Sequence, residues 1–359
     1  MARATPLTSS RGSWVNRASP LDAARCVPGV IDQLVALSIT QCGSVSTPRT
    51  ELHQFPHPDH SIVILGGGRG LASVLRALRG TDTGLTVIVS IADEGQRDGD
   101  PHQRLTGAGV EELRRSLEAL SGDGPLLRAI RRPLTIERLG RHPLGNLALA
   151  SAASAFGDYS RASMWLGEQL GVDGAVLPAT IEPAKMVDRK AVFELSGGRG
   201  RRRGRKVRKL RFVGERTESP EVAVEAIHNA EWVLLAPGAL YRSVLSTAAV
   251  PDLAAALWST PARVVWIANL VPDPVEAADL TAIEHLLVMR LHGVRVDVVL
   301  HDPSAELKFD AEELMRNGVE SVSSGLRSRT DPSLHDPQGL RSALSSLFSS
   351  RSVRAVGLA

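Results

Sequence analysis

A chain of 359 residues with a 43% hydrophobic fraction can form one large or two modest domains around a substantial core. Its formal net charge of +3 at pH 7 leans towards anionic ligands without demanding nucleic acid. No apolar run is long enough to span a bilayer, and two cysteines, Cys26 and Cys42, make neither a disulfide framework nor a zinc cluster, so a soluble, cytoplasmic protein with free thiols is expected.

Residues 1–58 are rich in Ser, Thr, Pro, Arg and His and read as a flexible or weakly ordered leader, without the apolar core of a secretory signal. From Ser61 the pattern becomes strand, helix, strand. The apolar run 61–65 predicts a buried strand, Gly66-Gly67-Gly68-Arg69-Gly70 a tight turn, and 71–78 a helix. A second strand is expected over 85–91. Helices are expected over 110–120, 144–156 and 163–170. Short strands around a basic loop, 187–195 and 209–213, predict a small β-rich insertion near 180–214. Further strands are predicted at 232–236, 263–268 and 294–300, with helices around 253–257 and 281–289 between them. Beyond Asp302 the signals weaken: a helix over 305–317, a loop over 318–333 and a short helix over 339–347. These elements predict an α/β, Rossmann-like, doubly wound and mostly parallel sheet over 59–302, followed by a C-terminal helical and partly disordered extension, 303–359. Right-handed crossovers place the loops after Leu65, Ile91, Ala236 and Ala268 at one edge of that sheet, the expected ligand crevice.

Five loops carry chemistry at that edge. The glycine turn presents backbone amides and the positive end of a helix to an anion, although its spacing is neither the dinucleotide nor the Walker pattern. A tight turn with no ligand is the alternative. Asp93 and Glu94 follow the second strand, where a carboxylate can read a ribose, help hold a divalent ion, or cap a turn. Asn146, after the Pro143-Leu144-Gly145 turn, is either a helix N-cap or an amide that reads a base or sugar, and His142 beside it is either surface decoration or a phosphate contact. Gly238, Tyr241, Arg242 and Ser243 form a second candidate anion cradle, with Tyr241 either stacking on a base or packing beneath the loop. Asn269 ends another strand and either orients a substrate or serves its own turn. The basic run 198–209 lacks interleaved aromatic residues and any DNA-binding spacing, so a solvated hairpin loop is expected, and nucleic acid is not expected as a partner.

Segments 64–71, 89–95, 142–147, 176–180, 235–245 and 267–272, taken in order, resemble the bacterial gluconeogenesis factor family, which is related to the 2-phospho-L-lactate transferases. The resemblance implies a Rossmann-like fold with a nucleotide-ligand cleft and a nucleotide-sugar ligand, a UDP-sugar, supporting growth and cell shape on gluconeogenic carbon sources. It implies that Gly67, Gly68, Gly70, Asp93, Asn146, Thr180, Gly238, Tyr241, Ser243 and Asn269 line the site. It assigns no catalytic residue and no metal ligand; magnesium enters only under a transferase alternative, in which a phospho-acid is the substrate. A ligand-free protein-interaction scaffold is the third reading.

Several positions depart from the family pattern. Glu94-Gly95-Gln96-Arg97-Asp98-Gly99 loses a glycine and two small hydroxyls. Glu111-Glu112 stands where the family has Gly-Asp, Ala236-Pro237-Gly238-Ala239 replaces Gly-Pro-Gly-Ser, and Pro274-Val275-Glu276-Ala277-Ala278 stands in place of a Gly-Glu-Thr run. These changes are expected to crowd or discharge the cleft.

Overall fold

Strand β1 (Ser61–Leu65) lies inside a seven-stranded parallel sheet and is covered on both faces, which is why its sequence is a continuous apolar run. The computed structural model describes residues 61–81, 83–92, 108–136, 140–193, 205–214, 216–278 and 280–356. The leader 1–58 with Cys26 and Cys42, the Asp93-Glu94 loop and residues 198–204 of the basic run lie outside the described residues.

The other sheet strands are β2 (Gly84–Val89), β5 (Ala175–Pro178), β8 (Trp232–Leu235), β9 (Arg263–Ile267), β10 (Val298–His301) and β11 (Glu320–Ser323), in the order β11-β10-β9-β8-β1-β2-β5. Two antiparallel hairpins stand outside it: β3 (Pro133–Ile136) with β4 (Gly140–Pro143), and β6 (Lys185–Phe193) with β7 (Arg205–Val213). The second is the β-rich insertion expected from the sequence. The first was not foreseen, and it places His142 in a strand opposite Leu134 rather than in an open loop.

The strand period of two sorts side chains between two cores. Ile62, Ile64, Val87, Trp232, Leu234, Val265, Ile267, Val298 and Leu300 enter one core, with helices α1 (Gly68–Leu78), α2 (Ala108–Leu120), α4 (Leu144–Phe156) and α5 (Tyr159–Gln169) supplying the opposing residues. Helix α3 (Pro125–Ile130) lies beside α4. Val63, Leu65, Ile88, Val233, Leu235, Val264, Trp266 and Val299 enter the other, with α6 (Glu221–Asn229), α7 (Pro251–Ser259) and α8 (Ala282–Leu291). Each fully buried aliphatic side chain contributes about 1.5–3 kcal/mol of transfer free energy.

The C-terminal region is more regular than its composition suggests. The polar segment Glu320-Ser321-Val322-Ser323 pairs in register with Val298–His301 as an edge strand. An edge position has one open side, so a polar run suffices there and gives no apolar signal in the sequence. The helix expected over 305–317 shortens to α9 (Ala311–Arg316), because the Asp310 carboxylate accepts from Glu312 and Glu313 N–H and starts it there. Helix α10 (Pro337–Val356) is longer than expected and packs Leu340, Leu344, Leu347 and Phe348 into the first core, with the Phe348 ring 5.0 Å from Trp232.

Asp302, immediately after β10, ties this region down. Its Oδ1 accepts from Ser304 N–H and Oγ–H at 2.7 and 2.6 Å, and its Oδ2 from Leu326 and Arg327 N–H at 2.6 and 2.9 Å. Burial pushes this carboxyl up, but the bonds from the Ser304 side chain and from the Leu326, Ser304 and Arg327 amides outweigh it and hold it below the ordinary carboxylate value. Asp302→Ala leaves four donors without their acceptor, and urea unfolding is expected to show a loss of about 2–4 kcal/mol.

The insertion is fixed at its root by a histidine. Leu210 N–H donates to His292 Nε2 at 3.0 Å, while His292 Nδ1 lies 2.8 Å from Val288 O. Both contacts are satisfied by the neutral Nδ1–H tautomer and not by the imidazolium. Burial lowers the pKa of His292, and likewise those of His285, His301 and His335. A histidine with a folded pKa below its unfolded value of about 6.5 stabilises above that pH and loses the contribution as pH falls through the folded pKa. The melting temperature is therefore expected to fall on acidification from pH ~7.5 to ~5.5, and His292→Gln, which keeps an acceptor without the titration, is expected to flatten part of that slope.

Candidate functional site

Strand β1 is flanked by β2 and β8, and the chain leaves β1 towards β2 while β8 lies on the other side. This reversal is a topological switch point, and all strands being parallel, the loops after β1 and β8 meet outside its carboxyl edge. The sequence places its two candidate anion cradles in those loops.

The first cradle is compact. A Cβ on Gly70 would lie 1.9 Å from Pro237 O, and one on Gly66 would lie 2.9 Å from Ala236 Cβ. Both glycines are needed for the two loops to touch, not for room around a ligand. Gly67 precedes α1 in extended conformation, and Gly68 takes φ +73°, the left-handed region that favours glycine. Helix α1 has no side-chain cap from Gly67 and no acid in its first turn. Instead, Gly68 N–H donates to Glu112 Oε2 of α2 at 2.6 Å. An anion does sit at this helix start, and it is the chain's own carboxylate.

The second cradle is also filled from within. The loop after β8 enters a π-helical segment, Leu240–Leu245. Tyr241 and Arg242 N–H both donate to Glu276 Oε2, at 3.0 and 3.3 Å, and Arg242 Nε donates to Oε1 at 2.6 Å. The Glu276 side chain is only 3% exposed. Asn269 holds the turn before this segment: its Oδ1 accepts from Gly238 N–H at 2.7 Å and its Nδ2 donates to Gly238 O at 2.8 Å. Its amide is thus used on the Gly238 turn of the neighbouring loop, 31 residues away, rather than on the turn that follows it in the chain.

Ser243 faces the first cradle, with Oγ 4.0 Å from the position a Cβ on Gly68 would occupy. Gly238 makes this possible, since a Cβ there would lie 2.8 Å from Ser243 Cβ. Among the described residues the Ser243 hydroxyl has no hydrogen-bond partner. Tyr241 is 4% exposed and part of the second core, its ring edge-on to His292 at 6.3 Å and covered by the Arg208 guanidinium at 5.7 Å. The Tyr241 side chain therefore packs beneath the loop, as the second sequence alternative had it.

Asn146 is not an N-cap. Pro143 holds that position, and Asn146 is the third residue of α4, 2% exposed, with Oδ1 accepting from Arg114 Nε at 2.7 Å. Arg114 is itself buried and ion-paired with Glu118. Gly145 admits it, because a Cβ there would lie 2.9 Å from Arg114 Cδ. Thr180 is buried after β5, with Oγ1 donating to Glu182 O at 2.7 Å. The candidates Gly67, Gly68, Gly70, Gly238 and Ser243 are thus brought together directly. Asn269 supports them from behind, while Tyr241, Asn146 and Thr180 are engaged by the protein itself. Asp93 lies outside the described residues.

Glu112, Glu276 and Arg114 were not singled out as site residues. Glu112 and Glu276 were visible only as departures from a pattern, because the amides they reach lie 44 and 35 residues away in the chain. Among the described residues no group of three or more His, Cys, Asp or Glu could hold a metal ion. No helix among the described residues is long and apolar enough to cross a membrane.

This site belongs to a recognisable class. Residues 62–327 match the family model of 2-phospho-L-lactate transferase CofD. The chain is 32% identical over 250 residues to a gluconeogenesis factor of Halalkalibacterium halodurans, covering 67% of this chain and 77% of that protein. It is 29% identical over 312 residues to the gluconeogenesis factor of Bacillus subtilis, covering 80% and 98%. A longer relative from Deinococcus radiodurans is matched over 66% of its length at 29% identity. The crystal structure of a UPF0052-family protein from Bacillus halodurans superposes with a TM-score of 0.67 at 25% identity, covering 79% of this chain and 98% of that one. The chain belongs to the gluconeogenesis factor family of CofD-type proteins.

The packing separates the glycines by role. Gly70→Ala forces α1 away from Pro237 and is expected to cost more than about 3 kcal/mol or prevent folding. Gly67→Ala is placed in extended backbone with its nearest neighbour, Glu112 Oε2, at 3.4 Å, and is expected to change stability by less than about 1 kcal/mol in the same urea titration.

Proposed function

We propose that this protein is a gluconeogenesis factor that binds an anionic nucleotide ligand, a UDP-sugar, at the switch point between β1 and β8. The observation that carries this reading is the Gly68 amide at the start of α1, which already holds an oxyanion in the form of the Glu112 carboxylate. The Ser243 hydroxyl beside it offers a further group to a phosphate or sugar oxygen. Membership of the family supports a role in growth and cell shape on gluconeogenic carbon sources. The ligand-binding reading requires no group transfer.

Thermal-shift screening of UDP-glucose, UDP-N-acetylglucosamine, UDP and phospho-acids, with and without magnesium, tests it. UDP-sugars are expected to raise the melting temperature without magnesium. Ser243→Ala is expected to weaken that binding by about five-fold, the worth of one hydrogen bond, while the unliganded protein keeps its stability. No shift with any nucleotide would return the chain to the scaffold reading.

The name of the matching family model favours a second reading, transfer of a phospho-acid group. Magnesium-dependent product formation from a phospho-acid donor, abolished by Asp93→Asn, would establish it in place of simple binding.

A further inference from the structure

The two cradles are occupied by carboxylates of very different standing. Glu276 is 3% exposed, accepts from two backbone amides and a guanidinium, and belongs to a turn further bound by Asp273. It cannot leave without stripping three donors at once, two of them backbone amides. Glu112 is 23% exposed and, among the described residues, accepts from one backbone amide. Its other oxygen faces the exposed Arg115 guanidinium at 3.5 Å, and Arg115 keeps a closer partner, Glu111 at 2.6 Å, if Glu112 departs. The α2 backbone cannot carry Glu112 away, because Gly109 is pressed on Ile91: a Cβ there would lie 2.2 Å from Ile91 Cα. Arg114 further ties α2 to Asn146 of α4. Any exchange at Gly68 is therefore a rotation of the Glu112 side chain alone.

We propose that Glu112 is a built-in competitor for the anionic group of the ligand, so that its carboxylate and a ligand phosphate are mutually exclusive occupants of the Gly68 amide. This inference rests on the binding reading above and adds its regulation. A tethered carboxylate is always present at high effective concentration, so the apparent affinity for an external anion is reduced by the fraction of time the side chain is bound. A diphosphate ligand can still win, because it carries more charge and more acceptor oxygens for the first-turn amides of α1 than one carboxylate oxygen and is also held by contacts that free phosphate lacks. Weak anions are excluded and only a ligand with further contacts displaces the cap. The glycine turn thus selects against free phosphate.

The test is phosphate and UDP-glucose titration of the full chain by calorimetry, comparing wild type with Glu112→Ala and Glu112→Gln. Glu112→Ala is expected to bind inorganic phosphate about ten-fold or more tightly, the equivalent of one charge-assisted hydrogen bond, and UDP-glucose more tightly as well. Glu112→Gln keeps an acceptor for Gly68 N–H and so guards the fold if the alanine variant fails to fold; an intermediate gain is expected. Asp123→Asn, which removes the same charge at an exposed position paired with Arg128, is expected to leave both affinities unchanged. Folded Glu112 variants with unchanged or weaker phosphate affinity would overturn the proposal, as would an equal gain in Asp123→Asn. Tighter phosphate binding with no UDP-glucose binding in any variant would sustain the competitor and sink the UDP-sugar reading. UDP-glucose binding that ignores Glu112 would do the reverse.

Discussion

The close approach of the loops after β1 and β8 is the constraint on which the site depends. Gly70 and Pro237 O, and Gly66 and Ala236, are so near that no side chain larger than hydrogen is accommodated at either glycine. That contact seats the start of α1 against the turn that Asn269 clasps through both of its amide atoms. It is possible because β1 and β8 are neighbours, paired in parallel register from Ile62 with Trp232 to Leu65 with Leu235. The strand pairing brings two distant segments to one edge, and the glycines let them close.

Closing these loops creates an electrostatic problem at helix starts that have no local caps. The chain answers it with carboxylates from elsewhere: Glu112 at Gly68, and Glu276 at Tyr241 and Arg242. Buried amides must find acceptors, and in each cradle an internal one is in place. The difference in burial between the two glutamates separates a fixed structural cap from a displaceable one. Substitutions that first read as damage to a ligand cleft therefore have defined partners in the fold.

Much of the sheet was legible from apolar runs. The strands at 61–65, 232–235 and 263–267 lie within a residue of their expected bounds, since interior parallel strands are buried on both faces and leave an unbroken hydrophobic signature. The short strand Ala175–Pro178 and the polar edge strand Glu320–Ser323 were not legible as strands, the first because it is four residues long and the second because it is half exposed. At the site, the sequence marks the glycines as amides offered to a ligand, whereas at Gly66 and Gly70 the structure shows close contact between two loops. Asn146 and Tyr241 were rare or well-placed residues whose roles turned on neighbours more than 30 residues away, Arg114 for the one and Glu276 and His292 for the other.

The sequence by itself determined the doubly wound α/β class, the glycine turn after β1 and the family, because local periodicity, turn chemistry and the order of short motifs are all properties of contiguous residues. Only the tertiary structure decided which acceptor each amide meets. Gly68 pairs with Glu112 and Gly238 with Asn269 because strand order and helix packing bring them within hydrogen-bond distance, and no local pattern encodes that distance. The anion-binding character of the turn was thus readable from the chain, whereas the presence of an internal anion on it was a consequence of the fold.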